Sequence, residues 1–74
     1  MNFSSKDAPI SEIIRHMLTH RNMSVTDLAN LLDTTRQNMN GKLSRNNFCQ
    51  NDLYDIASAL GYEVIINFVD KKED

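Results

Sequence analysis

The spacing of apolar residues predicts four short amphipathic helices within the first 61 positions of the chain. Apolar side chains that recur three and four positions apart lie on one side of a helix and can be buried together. This spacing predicts helices over about residues 10–20, 24–32, 36–44 and 50–61. The expected core consists of Ile14, Met17, Leu28, Ala29, Leu32, Met39, Leu53, Ile56, Ala57 and Leu60. The chain is therefore predicted to be all-α, a compact domain of four helices.

After Gly61 the period of the pattern changes from that of a helix to that of a strand. Apolar residues now alternate with other residues, at Tyr62, Val64, Ile66 and Phe68. Alternation of β-branched and aromatic residues predicts a C-terminal β-strand over 62–69. The backbone groups of a lone strand need partners. The candidates are the same strand of a second chain, which would make a homodimer, and the N-terminal segment 2–4. The alternatives to a strand are a fifth short helix and a disordered segment.

The length of 74 residues is enough for one domain. We expect residues 1–9 to form a flexible N-terminal arm, 10–61 the helical domain, and 70–74 a solvated charged tail. The N-terminal segment lacks the apolar stretch of a signal peptide, which favours a cytoplasmic protein. The longest apolar run, 64–66, is too short to span a membrane. The single cysteine, Cys49, is expected to be a reduced thiol without a catalytic role.

The net charge of −2 is unfavourable for binding to nucleic acid, but the charges are unevenly distributed. Residues 34–51 contain Arg36, Lys42 and Arg45 and no acid. Residues 52–74, by contrast, contain six acids and two lysines. The positive charge therefore coincides with the third predicted helix and the loop that follows it.

Two of the predicted helices and the short turn between them have the layout of a helix-turn-helix. Ser24 is a typical N-cap residue, and Asp27 follows it three positions later. The tripeptide at 33–35 interrupts the apolar pattern, and its last residue, Thr35, is a suitable cap for the next helix. Opposite its apolar side, that helix carries small or hydrogen-bonding residues, namely Gln37, Asn40, Gly41 and Ser44. A helix side with such residues can come close to the surface of another molecule and form hydrogen bonds with specific groups on it.

From residue 10 to 61 the chain resembles the λ-repressor-like helix-turn-helix family, of the Cro, phage-repressor and xenobiotic-response-element type. The segments that carry the resemblance are LANLL in the second helix, TTRQNM at the start of the third, and DIASALG in the fourth. Two positions depart from the family pattern. Asp33 occupies a turn position that is usually glycine, and Lys42 a position that is often apolar, with Leu43 expected to pack in its place.

The resemblance implies sequence-specific binding of double-stranded DNA by a small bacterial or phage transcriptional regulator, such as a Cro-like repressor. The recognition helix, about 35–44, would enter the major groove. The implied base-reading residues are Arg36, Gln37, Asn40 and Gly41. The implied phosphate contacts are Ser24, Thr26, Thr35, Asn38, Lys42, Arg45, Asn46 and Asn47. Gly41 has two interpretations, close approach of DNA or a frayed or bent helix end. Independently of the resemblance, the homodimer expected from the lone strand would bury Tyr62, Val64, Ile66 and Phe68.

Other classes of function receive less support from the sequence. No arrangement typical of an enzyme is present, and we expect no cofactor, no small-molecule ligand and no membrane partner. His16 and His20 are four positions apart but have no third ligand at a suitable spacing, so we expect no metal site. The main alternative is a protein-interaction module, for example an antitoxin-like or regulatory partner, that uses the same fold without binding an operator.

Overall fold

Four α-helices make up most of the computed structural model, which describes residues 8–71. They are α1 (Ile10–His20), α2 (Val25–Leu31), α3 (Arg36–Arg45) and α4 (Gln50–Leu60). The prediction of an all-helical domain with four helices is confirmed for the described residues. Most of the predicted flexible arm and the last three residues of the charged tail lie outside them. No helix in the described part is long and apolar enough to cross a membrane.

Side-chain caps fix the starts of α2 and α3, as the sequence predicted. The Oγ of Ser24 accepts a hydrogen bond from the backbone N–H of Asp27 at 3.1 Å. The carboxylate of Asp27 accepts one in return from the N–H of Ser24 at 2.9 Å. At α3, the Oγ1 of Thr35 accepts from the N–H of Asn38 at 3.0 Å. Each cap satisfies N–H groups that have no partner within the first turn of a helix.

Each of the four helices is followed by a residue with positive φ. These residues are Asn22, Asp33, Asn46 and Gly61, with φ of 58°, 55°, 51° and 78°. After α2, the N–H of Thr34 donates to the carbonyl of Ala29 at 2.9 Å, and that of Asp33 donates to the carbonyl of Asn30 at 3.3 Å. This pair of bonds is the Schellman motif, which satisfies the last carbonyls of a helix. Asp33 therefore adopts a left-handed conformation, which glycine adopts without strain.

Replacing Asp33 with glycine should raise the free energy of unfolding by about 0.5–1 kcal/mol, because the left-handed conformation is strained for residues with a Cβ atom. Chemical denaturation followed by circular dichroism would measure the change. Asp55→Gly is the matched control, since Asp55 is exposed inside α4. That substitution should destabilise the protein, because glycine is unfavourable in a helix interior. A loss of stability in both variants would contradict the assignment of the turn.

The core is formed by one side of each helix. The residues that are at most 9% exposed are Ile13, Ile14, Met17, Leu18, Leu28, Ala29, Met39, Leu43, Ile56, Ala57 and Leu60. Most of the predicted core is therefore confirmed. Leu32 and Leu53 are the exceptions, since both are only partly buried against the core. Leu32 is the C-cap residue of α2, and Leu53 lies in the first turn of α4. Phe48 packs against the core from the α3–α4 loop, as expected.

Residues 62–71 form neither helix nor strand in the single chain. The strand predicted over 62–69 is thus not formed here. The physical reason is that a strand needs a neighbour for its backbone hydrogen bonds, and the described residues contain no other strand. Large apolar side chains of this tail are exposed to solvent, at Ile65, Ile66, Phe68 and Val69.

Arg21 holds the beginning of the tail against the helical domain. Its Nε donates to the carbonyl of Leu60 at 2.8 Å, at the C-terminal end of α4. Its guanidinium also lies 4.3 Å from the centre of the Tyr62 ring, a cation–π contact. Sequence reasoning did not find this role for Arg21. The residues that it contacts are about forty positions away in the chain, and no local pattern indicates such contacts.

Candidate nucleic-acid interface

Two buried residues anchor α3 to the rest of the domain. Met39 is 3% exposed and Leu43 is 2% exposed. Both belong to the common core, where α3 packs against α1 and most extensively against α2. Because these two side chains point inward, the opposite side of α3 is turned outward. Leu43 therefore packs in the core in place of Lys42, as predicted from the sequence.

The first turn of α3 presents two unengaged side chains to solvent. Arg36 and Gln37 are exposed. Neither side chain takes part in a hydrogen bond or ion pair with any of residues 8–71. One turn further along, Asn40 and Gly41 are partly buried. The predicted base-reading residues therefore follow one another along α3, with the two most accessible at its N-terminal end.

A shallow open groove runs along this side of α3. The residues that line it are Thr35, Gln37, Asn38, Gly41 and Arg45. It combines two predicted base-reading residues, Gln37 and Gly41, with three predicted phosphate contacts. Asn40, although predicted to read bases, does not line the groove. The structure thus brings together donors and acceptors from both ends of α3 around one concave surface.

Gly41 lies directly beside the guanidinium of Arg45. A Cβ atom built on Gly41 would be 3.2 Å from both Nη1 and Nη2 of Arg45. That distance is tighter than an ordinary contact, so the arginine side chain would have to shift. The helix continues for four residues beyond Gly41. Gly41 therefore does not mark a frayed helix end, and the absence of a side chain instead leaves space for Arg45.

Lys42, predicted to contact phosphate, is directed towards α4. Its Nζ donates to Oδ1 of Asp52 at 2.8 Å, and both side chains are about three-quarters buried, with exposed fractions of 29% and 24%. Oδ2 of Asp52 accepts a hydrogen bond from the backbone N–H of Cys49 at 3.0 Å. The bond from Lys42 and, after it, the bond from Cys49 lower the pKa of the Asp52 carboxyl group. One carboxylate therefore links α3 to the first turn of α4.

Several other predicted phosphate contacts are also engaged within the domain. Oδ1 of Asn46 accepts from the backbone N–H of Ser11 at 2.9 Å and so satisfies a donor in the first turn of α1. Nδ2 of Asn38 donates to Oγ1 of Thr34 at 2.8 Å. Ser24 and Thr35 act as helix caps, as described above. Thr26, Arg45 and Asn47, in contrast, form no side-chain hydrogen bond or ion pair with any of residues 8–71.

The described residues contain no group of three or more histidine, cysteine or acidic side chains that could hold a metal ion. His16 and His20 are exposed on α1. Nε2 of His16 lies 4.0 Å from Oε1 of Glu12, one turn earlier. Comparisons of the chain with protein-family models, with curated proteins and with solved structures found no match.

Proposed function

We propose that this protein binds double-stranded DNA sequence-specifically, with α3 in the major groove, as a small transcriptional regulator. The observation that carries the proposal is the first turn of α3. There, Arg36 and Gln37 are exposed and engaged with no other described residue, next to the groove along the helix. No acidic residue occurs between positions 34 and 51 to repel phosphate. The cytoplasmic location expected from the sequence is part of this proposal.

The chemistry of these two side chains matches the edges of bases. A guanidinium can donate two parallel hydrogen bonds to O6 and N7 of guanine, and a glutamine amide can pair with N6 and N7 of adenine. The exposed start of α2, with Thr26 in its first turn, would lie near the phosphate backbone. The dipole of a helix favours anions near its N-terminus, although Ser24 and Asp27 already cap the start of α2.

Replacing Arg36 or Gln37 with alanine should each weaken binding to a selected site by about 1–3 kcal/mol, with little effect on random duplex. The reason is that base contacts contribute to specific binding only, whereas phosphate contacts act on any sequence. The selected site would come from binding-site selection with the purified protein. Dissociation constants for both duplexes would then be measured by fluorescence anisotropy.

Arg15→Ala is the matched control for the loss of one positive charge. Arg15 is exposed on α1 and is not among the residues that line the groove. Its removal should leave the ratio of specific to random affinity unchanged. If Arg36→Ala and Gln37→Ala also preserve that ratio, then the proposed placement of α3 is wrong.

We further propose that two chains pair through residues 62–69 to form a homodimer. A two-fold antiparallel pairing of this segment would supply the backbone partners that a single chain lacks. It would also cover Ile66 and Phe68, which are 50% and 96% exposed. The pair could present two recognition helices to half-sites about 34 Å apart, one turn of DNA.

A further inference from the structure

We propose that Arg45 reads a guanine base, and that Gly41 favours this contact by leaving room for the arginine side chain along the helix. The inference rests on the proposed DNA binding and deepens it. It changes the role expected for Arg45 from a phosphate contact to a determinant of sequence specificity. It also gives Gly41 an indirect role, because the glycine affects the position of the Arg45 side chain and does not itself contact a base.

The geometry of α3 places Arg45 in the groove although its Cα lies at the end of the helix. Gln37, Gly41 and Arg45 are spaced four residues apart and so lie along one side of α3. Side chains on a helix lean towards its N-terminus. The guanidinium of Arg45 accordingly lies beside Gly41, one turn back, and lines the same groove as Gln37.

The hydrogen-bonding capacity of this guanidinium is unused within the described residues. Arg45 is exposed and forms no ion pair or side-chain hydrogen bond with any of residues 8–71. Its donors form a rigid planar fork, which suits the two acceptors of guanine in the major groove.

The test uses the duplex enriched by the wild-type protein, with each guanine replaced in turn by 7-deazaguanine. This analogue lacks the N7 acceptor but leaves every phosphate in place. At one guanine the replacement should weaken binding by wild-type protein about 10-fold to 100-fold. Arg45→Ala should weaken binding to the unmodified duplex by a similar factor and make the protein insensitive to that replacement.

Gly41→Ala supplies a second and independent measurement. The added methyl group would shift the guanidinium by a few tenths of an ångström and should reduce sensitivity to the same guanine. The helix is retained because alanine is the better helix former. In an Arg45→Ala background, Gly41→Ala should have no further effect on binding. If the methyl group still weakens binding there, then Gly41 itself faces DNA and the positioning role is overturned.

Two further outcomes separate this inference from the function on which it rests. If wild-type protein enriches a sequence but Arg45→Ala shows the same guanine sensitivities as wild type, then Arg45 reads no guanine and only the inference fails. If the wild-type protein enriches no sequence, then the proposed DNA binding fails and the inference fails with it. Circular dichroism of each variant would show that α3 remains folded.

Discussion

Replacing Leu43 with alanine should lower the free energy of unfolding by about 2–5 kcal/mol, the usual cost of a leucine-to-alanine change in a core. Leu43 is 2% exposed, so the truncation leaves a cavity among neighbours from the other helices. A domain of this size has only a small margin of stability. We therefore expect partial unfolding at room temperature and loss of the proposed DNA binding together with it.

Leu31→Ala is the matched control for this effect. The chemical change is the same, but Leu31 is 56% exposed on α2. Its replacement should change the stability by less than about 0.5 kcal/mol, as is usual for surface positions. Urea denaturation of both variants would give the two free energies. Similar values for the two variants would mean that α3 is not anchored through Leu43.

Phe68→Glu should convert the proposed dimer into a monomer and weaken binding to a two-half-site operator about 10²-fold to 10⁴-fold. A glutamate at this position would place one charge from each chain in the shared apolar face. The affinity for DNA falls because the two recognition helices of a dimer act at a high effective concentration, whereas the single recognition helix of a monomer does not. Sedimentation at micromolar concentration and DNA titration would measure the two effects.

Ile65→Glu provides the control within the same segment. Ile65 is 72% exposed, but in the alternating pattern it lies on the side opposite to Phe68. Its replacement introduces the same charge and should leave the dimer intact. A monomeric wild-type protein would refute pairing through the tail. If Ile65→Glu disrupts the dimer as strongly as Phe68→Glu does, then the dimer does not bury one side of the segment in preference to the other.

The helices could be predicted from the sequence because their determinants are local. Apolar spacing gave the four elements, and Ser24 and Thr35 indicated where two of them begin. Residues that tolerate positive φ marked helix ends, and Asp33 shows that an aspartate can replace the usual glycine in the turn. The inward position of Met39 and Leu43 followed from the same spacing, so the outward side of α3 could be predicted as well.

Contacts between distant parts of the chain could not be predicted in this way. Asn46 was expected to contact phosphate, yet it caps a helix that begins 36 residues earlier, at Ile10. Arg21 binds the end of α4 through a contact that leaves no local pattern. Lys42 is a similar case, since only the folded chain shows that α4 brings Asp52 to it. The tail poses a different problem, because the alternation at 62–69 describes a strand whose partner need not belong to the same chain.

The ion pair of Lys42 with Asp52 has a consequence for the thermodynamics of the proposed binding. Of the three basic side chains on α3, it leaves Arg36 and Arg45 without an anionic partner among the described residues. Each phosphate that a protein neutralises releases condensed counterions from DNA. If Arg45 is used on a base, α3 supplies few such contacts. Counterion release would then contribute little to the affinity. Most of the binding free energy would have to come from direct contacts between the side chains of α3 and the bases.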